Sequence, residues 1–354
     1  MDGSEGWVLT TSGAFNAIGD GVFNATKTKT ISALDGMFFA VKEGTREFFV
    51  SEPYDPQSWP ALKTASAEFK GGTVNATWSD RELFIFTNTF TQVYYNSGAS
   101  PMPWVPIRNG RLLYGLAAKS SLAIVDNTTY FLTRGEDGAL FIGRINGYTI
   151  DRVSSRAWER EWDSYPTVAD AFAFSVQWRG HEWYMITFPS ALNGRGKSFI
   201  FDAEHSALYE VGNYFDYLGD FGRHDALAHS YFLGKHLIGD VEGKIFEMRS
   251  DVYTFDGSPL ISLRRAPVLH AARERVFMNK LQVDMEVGNG GTVMLDISDD
   301  GGRTFDNRRY KGMGTAGVYD SRVIFRQLGS SFDRVFQVSV SDAVNRKFLG
   351  AYLE

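Results

Sequence analysis

The feature that most limits what this chain can fold into is a recurrence. Aromatic and β-branched runs return at roughly 40–50 residues, the repeat length of a four-stranded propeller blade. "GMFFAV" is followed by "REFFVSE", "NATWSD" by "ELFIFTNTFTQVYYN", and "SSLAIVDNTTYFLT" by "ALFIGRING". "FAFSVQWRGHEWYMITFP" leads to "GKSFIFDAEHSALYEV", and "AHSYFLGKHLIGDVEGKIFEM" to "DVYTFDG". Within these groups "SDRE", "DNTT", "GEDG", "RGHE" and "DVEGK" read as hairpin turns between strands. The composition agrees: 15% of residues are aromatic, and 36 glycines stand against 10 prolines. Flat, bulky side chains favour strands, and glycine supplies the positive φ of tight turns. Amphipathic helical stretches are scarce, "RAWEREW" (156–162) being the best and short. The pattern predicts an all-β fold, a β-propeller of about five or six blades, in which each blade buries its faces only against its neighbours. Between residues 30 and 262 about five blade-like units can be counted, give or take one, which allows for an incomplete ring.

From about Phe277 the texture changes. "MNKLQVDMEVG", "TVMLDISDDG", "RVIFRQLG" and "VFQVSVSD" alternate apolar and polar residues with period two, which predicts a C-terminal β-sandwich over 277–354. The join, "LISLRRAPVLHAARERVF" (260–277), carries Arg264, Arg265, Arg273 and Arg275. It reads as a basic linker over 263–276 or as the edge of the last blade. The domain plan is then an N-terminal segment (1–30), a propeller (31–262), the linker and the sandwich.

Composition narrows the function classes. A formal charge of −6 argues against wholesale wrapping of nucleic acid, which needs a basic surface to release counterions. The chain has no cysteine, so disulfides and zinc–thiolate centres are excluded. The first thirty residues hold no apolar run of signal-peptide type, and no window approaches the roughly 20 apolar residues of a membrane span. The sequons at Asn24, Asn75 and Asn127 therefore read as chance matches. The expectation is a soluble protein made in a reducing compartment.

"LDISDDGGRTF" (295–305) carries Ser298, Asp300, Gly302, Thr304 and Phe305 in the spacing of the Asp-box turn of sialidase-type propellers, which it resembles. In such a hairpin the aspartate caps backbone amides, the glycine takes a positive φ and the aromatic packs inward, all structural roles. A glycosidase needs two carboxylates across a cleft. Glu159, Glu161 and Asp163 cluster in "WEREWDSY", but a solvated face or interface ion pairs is the commoner use of such a cluster. His224, His229 and His236 match no standard metal-ligand spacing, and His181 sits at an expected hairpin turn as a structural residue. Neither a G-x-S-x-G elbow nor a P-loop is present, and no cofactor is implied. The linker arginines can meet DNA phosphates, although ion pairs between subunits or a solvated loop serve equally well.

Several segments, taken in order, are more specific. They are "FFVSEPYDPQSWPALKTASAE" (48–68), "VYYNSGASPMPW" (93–104), "NGYTIDRVSSRAWE" (146–159), "ADAFAFSVQWRGHEWYMITFP" (169–189) and "IGDVEGKIFEM" (238–248). With "ISDDGGRTF" and "LGSSFDRVFQVSVSDAVNRKFLGAYLE" (328–354) they resemble the packaged-DNA stabilisation proteins of P22-type short-tailed bacteriophages, from about Asp35 to the C-terminus. The resemblance implies a virion tail protein, assembled in the host cytoplasm as a homo-hexamer. Such a ring lies below the portal and adaptor, meets tail needle and tailspike or tail fibre proteins, and passes genomic double-stranded DNA through its lumen without reading its sequence. The family carries a longer segment before its "VSEPYDP"-like stretch than the roughly fifty residues here, which implies a propeller lacking a blade or closing differently. A carbohydrate-binding or glycan-hydrolysing propeller is the rival from another class.

Overall fold

Strand formation follows the aromatic runs. The computed structural model describes residues 5–354 apart from 29, 43, 69–71, 80, 136, 216–219 and 273. Two compact units divide between Phe246 and Glu247. In the first, consecutive segments fold into antiparallel meanders. The first sheet orders Ile31–Leu34, Met37–Val41, Glu47–Val50 and Thr64–Ser66, and the second Thr73–Ser79, Glu82–Thr87, Thr91–Asn96 and Trp104–Leu112. The third is built on Thr128–Gly135, which pairs with Tyr114–Leu116 and Ala123–Val125 on one side and Leu140–Asn146 on the other, with Thr149–Arg152 outermost. The fourth runs Phe172–Trp178, His181–Phe188, Lys197–Asp202 and Ala207–Val211, and a fifth, three-stranded sheet begins with Ala226–Phe232 and Lys235–Asp240.

Successive side chains of a strand point to opposite faces, and here each face belongs to a different neighbour. Leu83 and Ile85 join Phe39, Val41, Phe48 and Val50 of the first sheet. Phe84 and Phe86, between and beside them, join Leu116, Phe131 and Ile145 of the third. In the third sheet Phe131 faces back, while Tyr130 and Leu132 face forward onto Tyr184, Ile186 and Phe201 of the fourth. Aromatic pairs mark the seams: Phe48 with Tyr94 at 5.1 Å and Phe86 with Phe131 at 5.0 Å, both edge to face, a geometry that adds to simple burial.

Ile31–Leu34 lies beside Thr73–Ser79, Ala123–Val125 beside Phe172–Trp178, and Phe172–Trp178 beside Ala226–Phe232. Polar groups stitch them: the Ala173 amide donates to Ser120 O at 2.9 Å, Asn75 Nδ2 to Lys119 O at 2.8 Å and His229 Nδ1 to Ser175 O at 2.9 Å. Ile31–Leu34, Thr73–Ser79, Ala123–Val125, Phe172–Trp178 and Ala226–Phe232 contain no Asp, Glu, Lys or Arg.

Residues before 31 are more than a leading segment. Asp20 Oδ1 caps the short helix Gly21–Thr26 by accepting the Val22 and Phe23 amides, and its Oδ2 accepts the amide of Trp59 at 3.0 Å. Ile18, Phe23 and Trp59 then cover Ala40 and Phe49, on the face of the first sheet opposite the second sheet.

The second unit holds two antiparallel sheets. One orders Ser262–Arg265, Asp333–Val340, Thr292–Ser298 and Asp306–Gly312; the other orders Val323–Ser331, Val276–Met285 and Phe348–Leu353. Alternate residues, Leu281, Val283, Val293, Leu295, Ile297, Phe325, Phe336, Val338 and Val340 among them, form its core. The linker expected over 263–276 is corrected by this arrangement. Ser262–Arg265 pairs with 337–340, and Leu269–His270 pairs with 333–334. Ala266 and Leu269 pack on the sandwich core, so burial of those apolar residues holds the basic stretch in the sheet.

One glycine tests the seam between the second and third sheets. A Cβ on Gly115 would overlap the backbone of Asn88 and Thr89, which cannot swing aside as a side chain can. Gly115→Ala should therefore lower unfolding free energy by about 1–3 kcal/mol, read from urea denaturation with the propeller's tryptophan fluorescence as probe.

Candidate functional site

The Asp-box hairpin joins Thr292–Ser298 to Asp306–Gly312. Ser298 Oγ donates to Asp300 Oδ1 at 2.6 Å and accepts the Gly302 amide at 2.8 Å. Asp300 further accepts the Arg303 amide at 2.9 Å, the Thr304 amide at 3.0 Å and Thr304 Oγ1 at 2.7 Å. Gly301 and Gly302 supply φ of 75° and 93°. The Ser298 hydroxyl first, and then the Thr304 amide and hydroxyl, hold the Asp300 carboxyl far below the usual carboxylate range. Both its oxygens are taken up inside the turn, which leaves it poorly placed for acid–base work. Beside it, Asp299 makes a two-pronged pair with buried Arg334 at 2.7 and 2.9 Å, and Arg334 also donates to Leu328 O. Phe305 departs from the expected inward anchor. It is half-buried, with the Arg265 guanidinium 4.7 Å from its ring centre.

The arginines are distributed. Arg264 and Arg265 follow one another in a strand and so face opposite sides of the sheet. Arg265 is engaged by Gln337 Oε1 at 2.8 and 3.1 Å as well as by Phe305, while Arg264 donates to Leu263 O. Arg275 lies over Phe332, 5.0 Å from the ring centre, and Arg273 lies outside the described residues.

The carboxylates of the helix Arg156–Asp163 diverge. Glu159 is buried and accepts Ser154 Oγ at 2.9 Å beside Arg152 at 3.4 Å. Glu161 turns the other way, to Tyr165 Oη at 2.9 Å and Lys197 Nζ at 3.3 Å, and Asp163 is exposed. Sequence reading missed the centre this creates. Lys197, buried at the start of the third strand of the fourth sheet, also meets Glu210 at 2.6 Å and Asp220 at 3.4 Å. Burial alone would lower its pKa, but Glu210, Glu161 and Asp220 hold it above the ordinary value. Burial raises Glu210, with Lys197 opposing. The four charges lie far apart in the chain, so no local motif announces them.

Of the histidines grouped by sequence, His224 Nδ1 accepts the Ala226 amide, and His229 Nε2 and His236 Nδ1 are 3.0 Å apart. Burial, reinforced by His236, keeps His229 below the ordinary histidine value, although its bond to Ser175 opposes this. A different set converges: His181 Nδ1 and His205 Nδ1 lie 2.9 and 3.1 Å from the same Asp202 oxygen. Burial would raise the Asp202 carboxyl, but the two imidazoles hold it below the usual range.

Residues 1–253 match the family model of the bacteriophage P22 Gp10 beta-propeller, and residues 262–354 match that of the Gp10 beta-sandwich. No curated protein matches. Among solved structures the chain is similar to virginiamycin B lyase from Staphylococcus aureus, at 12% identity over 69% of this chain and 73% of that one, with a TM-score of 0.40. A streptogramin B lyase follows at 13% identity, covering 69% and 71%, with a TM-score of 0.41. A family 43 arabinoxylan arabinofuranohydrolase from Bacillus subtilis matches at 10% identity over 99% and 91%, with a TM-score of 0.31. Likenesses this distant say nothing of activity.

Two variants probe the charged centres. Asp300→Asn should lower the sandwich's melting temperature at pH 7. A carboxyl with a lowered folded-state pKa stabilises above its unfolded value of about 4 and loses that contribution as pH falls. The gap between the two proteins should therefore narrow towards pH 3 in melts followed by circular dichroism. Lys197→Met strands Glu210 and its neighbours without a cation. The cost should be about 3 kcal/mol, the low end for a broken buried pair because the carboxylates are partly exposed. Adding Glu210→Gln should recover part of it in the same denaturation assay.

Proposed function

The chain belongs to the bacteriophage P22 Gp10 family, and on that premise we propose that it forms a sixfold ring, the hub or nozzle of a short phage tail. It is a structural tail protein of the P22 type. In the proposed role the ring sits below the portal and adaptor, extends the DNA channel, helps retain the packaged genome, and meets the needle and the tailspikes or fibres. The observation that carries the reading is the family match over both domains.

Physical features agree with it. A closed ring uses heterologous contacts, so each copy needs two different complementary faces. Exposed apolar side chains stand at two separate places in the first unit: Trp7, Leu9 and Phe15 on the N-terminal hairpin, and Tyr231, Phe232 and Leu233 at a turn of the fifth sheet. Aromatic side chains of this kind are enriched in the cores of protein interfaces. The overall charge of −6 suits a conduit for a polyanion, which must slide rather than bind. The rival reading, a glycan-hydrolysing propeller, needs a facing pair of carboxylates. The strands Ile31–Leu34, Thr73–Ser79, Ala123–Val125, Phe172–Trp178 and Ala226–Phe232 offer none, and Glu159 and Glu161 are engaged in ion pairs.

Electron microscopy of the purified protein, alone and mixed with adaptor and portal, is the test. Sixfold rings that dock onto the adaptor are the expected outcome. A monodisperse monomer that ignores the adaptor and releases reducing sugar from host polysaccharide would overturn the reading. A ring whose lumen is densely lined with Lys and Arg would overturn the sliding argument.

A further inference from the structure

The fourth sheet carries, at one end, a group of side chains that its hairpins do not require. His181 opens the second strand after the tight turn at Arg179 and Gly180, with φ of 52° and 87°. Asp202 closes the third strand opposite Trp183, on the face His181 shares with Trp183. The next turn then doubles back at Ser206, φ 50°, and returns the His205 ring over the same carboxylate. The two imidazoles stack at 5.2 Å with 26° between their planes, and one donor atom from each of the three residues lies within 4.8 Å of the others.

We propose that His181, Asp202 and His205 bind a divalent transition-metal ion of the zinc class. Two imidazole nitrogens and one carboxylate oxygen suit zinc, nickel or copper, whereas calcium and magnesium favour all-oxygen sets. Ligand atoms held tetrahedrally at about 2.0–2.2 Å from one such ion stand roughly 3.3–3.6 Å apart. The nitrogen–oxygen separations of 2.9 and 3.1 Å are hydrogen-bond distances a few tenths of an ångström shorter, and all three ligand atoms lie within 4.8 Å of one another, so the two turns have to open slightly to admit the ion. Binding replaces the Nδ1 protons of both rings, leaving each ring's Nε2–H to solvent.

The frame is fixed where it must be. Asp202 is buried, and its other oxygen accepts the Glu204 amide at 3.2 Å. His181 packs against Trp183, 5.9 Å between ring centres, and the Ala203 amide donates to Glu182 O. Such outer contacts orient ligands and tune their affinity. His205 is exposed and His181 partly so, which leaves the remaining coordination positions open to water. With three protein ligands from two hairpin turns, the ion would tie the ends of neighbouring strands together.

The test uses the full chain without an affinity tag, stripped with chelator and titrated with zinc chloride by calorimetry. One ion per chain and a zinc-dependent rise in melting temperature are expected. His205→Ala, a change at an exposed turn residue, and His181→Gln should each weaken binding at least about tenfold and abolish the rise. His229→Ala, which removes a member of the other close imidazole pair, should leave binding unchanged. The proposal fails if the stripped chain takes up no zinc, or if binding survives His205→Ala and His181→Gln but is lost with His229→Ala.

Discussion

Alternation along the middle strands governs the first unit. In Glu82–Thr87 the residues Leu83 and Ile85 serve one neighbour and Phe84 and Phe86 another. The first three sheets are therefore apolar on both faces, and none of them can bury itself alone. A strand of this kind reads as a continuous apolar run, unlike the one-sided strands of a sandwich. The same logic makes register rigid, since a slip of one residue would exchange the two neighbours' side chains. The tight approach at Gly115 and the edge-to-face rings at the seams follow from sheets pressed together on both sides.

This explains what could be read in advance. Apolar runs with turn signals predicted sheets at the right places, and the period-two strands after Phe277 predicted the second unit's core. The helix expected over 156–162 forms at Arg156–Asp163. What escaped depended on contacts distant in sequence. The stretch at 263–276 looked like a linker because its arginines dominate the local composition, yet Ser262–Arg265 gains a strand partner seventy-odd residues away. Residues 1–30 carried no motif, and their role rests on Asp20 reaching Trp59. Lys197 is invisible as a charge centre until Glu161, Glu210 and Asp220 surround it.

The candidate sites show the same division. Asp300 was legible because a capping turn is local: all its partners lie within four residues. The histidines were not, because nearness in sequence picked His224, His229 and His236, whereas pairing of Trp183 with Asp202 brings His181 towards His205. A strand ladder converts a separation of twenty residues into hydrogen-bonding distance, and short-range spacing rules cannot register that.

The cover that Ile18, Phe23 and Trp59 place over the first sheet bears on how the chain is made. Each sheet consists of consecutive residues and packs on the sheet before it. During synthesis the earliest segment can close one side of the first sheet, and each later meander closes the side left by its predecessor. Growth in that order leaves one sticky face at a time, on the newest sheet. Aggregation risk during translation is thereby confined to the leading edge of the molecule.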